Sequence, residues 1–142
     1  MTWRGEWESI YGQVEAMFPG SPEVLIEVTP EVREKPRHFA DVELSHPVVL
    51  RLHPELVTGK VSRLRGVLAH EAGHILDLGL LSDQGFQRVC ESLRVPYSTD
   101  EERRADILAE WLTGWVIYYD EDLVQCAGPG ARGMTPRPHH LR

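Results

Sequence analysis

The pentapeptide His70-Glu71-Ala72-Gly73-His74 constrains this chain more than any other feature of its sequence. Two histidines four positions apart project from the same face of an α-helix, so both imidazoles can reach one metal ion. The glutamate beside them can then reach a water molecule on that ion. The pattern therefore predicts a helix that binds zinc through His70 and His74 and carries a general base at Glu71.

The residues around this pentapeptide favour the helix that metal binding requires. Apolar residues recur at helical spacing from about residue 62 to residue 79, so the histidines are expected near the middle of the helix. Gly73 lies inside it, where glycine costs about 1 kcal/mol relative to alanine. A glycine at this place indicates either the close approach of another part of the chain or a tolerated weakness. The apolar stripe consists of Val61, Leu64, Leu68, Ile75 and Leu78.

Length, composition and charge restrict the class of protein. With 142 residues, of which 42% are hydrophobic, the chain is long enough for one domain with one core. Its formal net charge of −7 predicts no direct nucleic-acid partner, because phosphate contacts need a basic face. No apolar run approaches the roughly 20 residues of a membrane span, and residues 1–6 lack the apolar stretch of a secretory signal. We therefore expect a cytoplasmic protein without a membrane partner.

The first half of the chain predicts one helix followed by a small sheet. Apolar residues at positions 7, 10, 11, 14, 17 and 18 follow helical spacing, and Pro19 and Gly20 end the pattern. Three short runs of β-branched or alternating residues come next, and they predict three strands of a small antiparallel or mixed sheet. These runs cover residues 24–28, 39–44 and 48–52.

The second half predicts further helices on the C-terminal side of the pentapeptide. A shorter helix is expected over about residues 83–93, and a last helix from N-cap candidates at 98–100 to about residue 118. These elements predict an α+β fold in which the small sheet packs on the HExxH helix. Residues 1–124 are expected to form this single domain, while residues 125–142, rich in Gly, Pro and Arg, predict a loose C-terminal tail.

A catalytic zinc site needs a third protein ligand, and Glu102 is the best candidate. Glu102 and Asp106 stand four positions apart on a predicted helix, on the face that also carries Ala105 and Ala109. Small residues on that face would let this helix come close to the HExxH helix. Glu102 would then reach the metal, and Asp106 would accept a hydrogen bond from the non-ligating nitrogen of a ligand histidine.

A structural role for Glu102 is the alternative to metal binding. Thr99-x-x-Glu102 fits a capping box, in which the glutamate would only satisfy backbone donors of the helix. Ser98-x-x-Glu101 fits the same box equally well. One glutamate can cap while the other ligates, and the spacing to Asp106 favours Glu102 as the ligand.

The combined pattern resembles the gluzincin metallopeptidases, most closely the compact ImmA/IrrE-type group. The pentapeptide is followed, 28 residues after its second histidine, by Glu102-Arg103-Arg104-Ala105-Asp106, and the likeness covers roughly residues 45–118. In gluzincins the third ligand is a glutamate of a second helix, and an acidic residue four positions later supports a ligand histidine. The resemblance thus implies a minimal zincin-like metalloprotease fold, with Zn²⁺ held by the two histidines and Glu102 and with Asp106 supporting a histidine.

Motif and resemblance together imply the hydrolysis of peptide bonds. Glu71 would take a proton from a zinc-activated water as it attacks a peptide carbonyl, and would deliver that proton to the leaving amine. The implied partner is a protein or peptide substrate. Proteins of the ImmA/IrrE type commonly act on transcriptional repressors, so the likeness alone implies a transcriptional regulator as substrate.

Further expectations concern the surroundings of the metal. The developing oxyanion needs a hydrogen-bond donor, and Tyr97, just before the helix with Glu102, is a weakly preferred catalytic candidate. The strand over residues 48–53 is expected at the edge of the sheet above the cleft, where an extended peptide could pair with it. Arg103 and Arg104 are expected on a solvated face. The other candidate donors are His46, His53, Tyr118 and Tyr119.

Two other functions fit the same residues. The fold could serve as a non-proteolytic zinc-binding module for interaction or assembly, in which Glu71 no longer acts as a base. It could also hydrolyse a substrate other than a peptide. Replacing Glu71 by glutamine separates the first of these from a peptidase, because a peptidase would keep its zinc and lose cleavage.

Overall fold

Helices and strands follow one another in nearly the predicted order. The additions are a short helix before the HExxH helix, a π-helix after it and two strands near the C-terminus. The computed structural model describes residues 2–32, 39–118 and 125–129, and for residues 118 and 125–129 it describes the backbone. None of the described helices is long and apolar enough to cross a membrane. The helices are α1 Trp3–Met17, α2 Pro54–Val57, α3 Val61–Ile75, a π-helix Leu76–Leu80 directly after α3, α4 Asp83–Leu93 and α5 Glu101–Thr113. The strands are β1 Val24–Val28, β2 Ala40–Glu43, β3 Val48–Leu52, β4 Trp115–Tyr118 and β5 Gln125–Pro129.

The first three strands form a mixed sheet in which β3 is the central strand. β1 runs parallel to β3, with Val24 opposite Val48, and β2 runs antiparallel to it, with Ala40 opposite Leu52. The predicted α+β class with a small three-stranded sheet is therefore confirmed, and the sheet is mixed. The prediction that residues 48–53 form an edge strand was wrong.

The side chains of the strands explain why β3 lies in the middle. Alternate residues of β3 are buried in the core, and Val49 adds an apolar side chain on the other face. β2 instead carries two acidic side chains, Asp41 and Glu43. Charged residues suit an edge strand, because they oppose pairing with another chain. β1 and β2 are thus the two edges of the described sheet.

α1 and α4 form where their apolar periodicity predicts them. The Gly5 N–H donates to Thr2 Oγ1 at 3.2 Å and thereby caps α1. The Gly85 N–H donates to Ser82 Oγ at 3.1 Å and caps α4. The caps satisfy backbone donors that a first helical turn leaves without a partner. The buried apolar residues of α1 are Trp7, Ile10, Tyr11, Val14 and Met17.

One hydrophobic core joins the sheet to the helices, and α3 runs through it. Every residue from 66 to 76 is buried, which includes all of the HEAGH pentapeptide. A helix that is buried all round must be enclosed by other elements. The pentapeptide therefore lies in the interior of the domain, where its polar side chains need partners.

The last helix ends earlier than predicted, at Thr113 instead of about residue 118. Gly114 takes a left-handed conformation with φ 79°, and its N–H donates to the Glu110 carbonyl oxygen at 2.7 Å. Glycine adopts this conformation without the steric cost that a Cβ brings, so it ends helices readily.

The residues after this helix form an antiparallel pair, β4 and β5, with Ile117 opposite Cys126. The predicted tail of residues 125–142 thus begins with a strand. Residues 130–142 lie outside the described part of the chain, and for them the loose tail stays a prediction.

Candidate metal centre

α3 brings the three polar side chains of the pentapeptide to one place. His70 is fully buried, and Glu71 and His74 are 3% and 9% exposed. The potential ligand atoms of these three residues lie within 4.8 Å of one another, so the group could hold a metal ion. The HExxH motif thus stands on the helix that it predicts.

Glu102 reaches this group from the first turn of α5. Its Oε1 atom lies 2.9 Å from His70 Nε2, and its Oε2 atom lies 3.3 Å from His74 Nε2. The two Nε2 atoms are 3.1 Å apart. The side chain of Glu102 is 56% exposed, which makes it the solvent-facing wall of the site.

Neither of the two proposed capping boxes forms. The N-cap of α5 is Asp100, whose Oδ1 atom accepts a hydrogen bond from the Arg103 N–H at 2.8 Å. Since Asp100 caps the helix, neither Glu101 nor Glu102 takes part in capping it. The choice of Glu102 over Glu101 agrees with the side-chain positions.

Asp106 stands behind His70, one helical turn beyond Glu102. Its Oδ1 atom lies 2.8 Å from His70 Nδ1. In the neutral tautomer of His70 that donates its Nδ1 proton to this carboxylate, the lone pair lies on Nε2 and faces His74 and Glu102. At these distances a cation between the donors offsets their repulsion: a proton that joins His70 Nε2 to Glu102, or a metal ion that takes the place of that proton. The arrangement therefore suits a metal ion.

The spacing of the donors also fits a tetrahedral ion. Bonds of about 2.0–2.2 Å at tetrahedral angles separate ligand atoms by about 3.3–3.6 Å. The separations of 2.9, 3.1 and 3.3 Å among His70 Nε2, His74 Nε2 and the Glu102 oxygens are close to this range. Shifts of a few tenths of an ångström would bring all three to ligand positions, and Glu71 would remain beside them.

Close packing of these side chains shifts the pKa values of His70, Glu71 and Glu102. Burial alone would lower the pKa of His70, but hydrogen bonds to Asp106 and Glu102 outweigh it and raise the pKa to about 9. Hydrogen bonds to the two histidines hold the pKa of Glu102 far below its usual range. Burial raises the pKa of Glu71, against the charges of His70 and His74. Negative charge around the imidazoles thus stabilises a cation at this place.

Close contact between α3 and α5 makes these distances possible. Gly73 faces the backbone of Ala105, and both Ala105 and Ala109 are fully buried. Of the two interpretations of Gly73, close approach of another backbone is correct. The prediction that small residues on α5 let the two helices come together is confirmed.

Arg104 has a role that the sequence did not reveal. It was expected on a solvated face, but its side chain is only 13% exposed and lies 2.9 Å from Asp77 of the π-helix. Its Nη1 atom also donates to Asp83 Oδ1 at 3.2 Å and to the Ser98 carbonyl oxygen at 3.0 Å. The guanidinium lies over the Phe86 ring. Arg104 therefore ties α5 to the π-helix that follows His74 and to the start of α4.

The Tyr97 hydroxyl lies in this Arg104 cluster and donates to Asp83 Oδ1 at 2.8 Å. A tyrosine has one hydroxyl proton, so Tyr97 would have to leave Asp83 before it could stabilise an oxyanion. His53 accepts a hydrogen bond from the Glu55 N–H at 3.0 Å and caps α2. His46 is exposed next to Pro47. The Tyr118 side chain and Tyr119 lie outside the described residues, and an oxyanion role for any of these groups stays a prediction.

No family model, curated protein sequence or solved structure matches this chain. The functional inference therefore depends on the side chains themselves. Five predicted residues come together: two histidines, a glutamate that contacts both of them, a second, buried glutamate, and an aspartate that contacts one histidine. The five are His70, Glu71, His74, Glu102 and Asp106.

Proposed function

We propose that this protein is a zinc-dependent metallopeptidase of the gluzincin type, which hydrolyses peptide bonds of a protein substrate. One observation carries the proposal: the Glu102 carboxylate of α5 lies within 3.3 Å of both histidines of the HExxH motif on α3. Two imidazoles and one carboxylate are a donor set of catalytic zinc sites, which keep a further position open. The exposed side chain of Glu102 supports access from solvent.

His70, His74 and Glu102 would hold the ion, and Asp106 would fix the His70 tautomer through its contact of 2.8 Å with Nδ1. When bound, zinc would supply a Lewis acid that lowers the pKa of water to near 7. This donor set favours zinc over magnesium or calcium, which prefer all-oxygen surroundings.

Glu71 would act as the general base and then as the general acid. Its side chain is buried next to both histidines and therefore lies at the proposed reaction site. The carboxylate would take a proton from the attacking water as the carbon–oxygen bond forms at the peptide carbonyl. It would pass that proton to the amine nitrogen as the carbon–nitrogen bond breaks. A new carboxyl group and a new amino group are the products.

The substrate would bind as an extended chain along β2. Of the three strands in this sheet, β2 packs most closely against α3. No described strand pairs with the edge of β2 that faces away from β3. An unpaired strand edge can bind a peptide backbone through hydrogen bonds that do not depend on side-chain identity. This assigns to β2 the role that the sequence had suggested for residues 48–53. A transcriptional regulator as substrate rests on the resemblance to ImmA/IrrE-type proteins.

The test compares the wild-type protein with Glu71→Gln, and Glu91→Gln on the exposed face of α4 is the matched control. Each zinc-loaded protein is incubated with a library of peptides derived from a proteome, and cleavage is read by mass spectrometry. Metal content is measured on the same samples. We expect equal zinc in all three proteins and a loss of about 10²–10⁴-fold in cleavage rate for Glu71→Gln alone.

Two results would contradict the proposal. Cleavage by Glu71→Gln at the wild-type rate would remove Glu71 from the mechanism. Stoichiometric zinc in a wild-type protein that cleaves no peptide of the library would favour the non-proteolytic zinc module instead.

A further inference from the structure

Within the described part of the chain, no strand pairs with β1 on the side away from β3. On the paired side, the Val48 N–H donates to the Glu23 carbonyl oxygen at 3.0 Å, and the Thr29 N–H donates to the Leu52 carbonyl oxygen at 2.9 Å. Backbone groups of alternate residues in a strand point to opposite sides. The N–H and C=O groups of Val24 and Ile26 therefore point away from β3, and no described strand pairs with them.

A groove of about 820 Å³ follows this open edge, between β1 and α1. Every residue from Ser21 to Glu27 lines it, and those that belong to β1, Val24 to Glu27, direct their side chains alternately to the two faces of the sheet. A groove that both faces border must run along the strand edge. On the opposite side, α1 supplies the stacked rings of Trp7 and Tyr11, with centroids 5.1 Å apart.

The rim of the groove is acidic. Among the described residues, the groove is lined by four glutamates, two from α1 and two from the strand side, and by the guanidinium of Arg4. The glutamates are Glu8, Glu15, Glu23 and Glu27. All four carboxylates belong to exposed residues. Arg51 lies 3.5 Å from Glu27 and offsets part of that charge. The groove therefore attracts a cationic occupant.

We propose that this groove binds an extended, basic segment of a partner protein, which adds to β1 as a further strand. Its backbone would pair with Val24 and Ile26, and lysine or arginine at alternate positions would meet the acidic rim. The half-exposed Leu25 side chain would contact an apolar residue of the added strand. β1 spans about 16 Å, so about five residues of the partner can pair with it. The site is separate from the metal centre on α3 and α5 and does not depend on it.

The experiment uses the 142-residue protein with zinc added and a fluorescein-labelled octapeptide with lysine at alternate positions and threonine or valine between them. Binding is measured by fluorescence anisotropy at low salt, and the site is mapped by amide chemical shifts. We expect shifts at residues 21–27 and affinity about tenfold weaker for the double variant Glu8→Lys/Glu23→Lys. The control Glu55→Lys/Glu91→Lys carries the same charge change on exposed residues outside the groove and should weaken binding less than about twofold.

A second probe separates strand addition from simple attraction between charges. The same octapeptide with N-methyl groups on the backbone nitrogens of its six inner residues keeps its charge but loses the inner donors on both sides of the strand. We expect its affinity to be about tenfold lower. Equal binding of both probes, equal weakening by the two double variants, or shifts confined to α3 and α5 would each overturn the proposal.

Discussion

Gly73 of α3 lies directly against the backbone of Ala105 of α5. A Cβ atom on Gly73 would stand 2.9 Å from the carbonyl carbon of Ala105 and 3.0 Å from its Cα, and closer still to its carbonyl oxygen. Ala105 lies between the two acidic residues of α5 that face the histidines, so this contact sets how far those carboxylates reach. The geometry of the candidate metal centre depends on it.

Gly73→Ala should therefore damage both the fold and the site. In an open helix this change would stabilise the protein by about 1 kcal/mol. Here the added methyl group must push α5 away, and we expect a loss of about 1–3 kcal/mol in the free energy of unfolding. Zinc affinity should fall as well, because Glu102 moves away from His70 and His74. Urea unfolding and competition with a chelator measure the two effects.

Gly12 provides the matched control for this change. It lies in α1, and no atom stands within 4 Å of the place where its Cβ would be. Gly12→Ala should stabilise the protein by about 0.5–1 kcal/mol and leave zinc affinity unchanged. Equal stabilisation by both alanine variants would contradict the close contact between α3 and α5.

Asp106→Asn should weaken zinc binding while the fold is kept. The carboxylate lies 2.8 Å from His70 Nδ1 and would hold the ring in the tautomer that leaves Nε2 to bind a metal ion. Loss of such a supporting partner typically costs about 10–100-fold in metal affinity. A competitive chelator titration measures the change, and a melting curve of the metal-free protein shows whether folding is preserved. Unchanged affinity would remove Asp106 from the site.

Glu102→Gln and Glu101→Gln form a pair that tests the third ligand. The two residues are neighbours at the start of α5, and both are exposed. Only Glu102 contacts the histidines, so we expect Glu102→Gln to lose bound zinc on dialysis and Glu101→Gln to retain it. The zinc content of each variant is measured after dialysis. Retention by both variants would show that the ion, if bound, takes another third ligand.

Arg104→Met should destabilise the fold more than a change at an ordinary helix surface. It leaves Asp77, whose side chain is 5% exposed, without the partner that lies 2.9 Å away. Removing one member of a buried ion pair typically costs about 3–5 kcal/mol. Arg103→Met, one position earlier on the same helix, should change the free energy of unfolding by less than about 0.5 kcal/mol.

Replacing both members of this pair checks the cause. Arg104→Met combined with Asp77→Leu should recover much of the lost stability, because no charge is then buried alone. Additive losses in the double variant would indicate that Arg104 acts mainly through its other contacts, with Asp83, Ser98 and Phe86.

The residues of the candidate metal centre could be predicted because each signal was local. His70 and His74 are one turn apart on a helix, and so are Glu102 and Asp106, so each pair shares a face wherever its helix lies. Gly73 and Ala105 indicated that the helices could approach. The capping alternative could not be decided in the same way, because Asp100 competes with its neighbours Ser98 and Thr99 for one N-cap position.

The errors arose where local patterns are ambiguous or partners are distant. Residues 115–118 are apolar and fit a helix or a strand, and the signal for the helix end was Gly114. Arg104 pairs with Asp77, which is 27 residues earlier, and no spacing rule connects them. Strand order was wrong for the same reason, since alternation describes a strand but not its neighbours.

The sequence by itself determined the α+β class, the helix with its HExxH motif and the face of α5 that carries Glu102 and Asp106, because periodicity and spacing act within one or two turns of chain. Only the tertiary structure decided that β3 lies between β1 and β2, that Arg104 is buried against Asp77, and that Glu102 lies within 3.3 Å of both histidines. Those outcomes depend on which distant surfaces pack together. Which surfaces pack together depends on burial and strand pairing over the whole core, and no short sequence pattern indicates it.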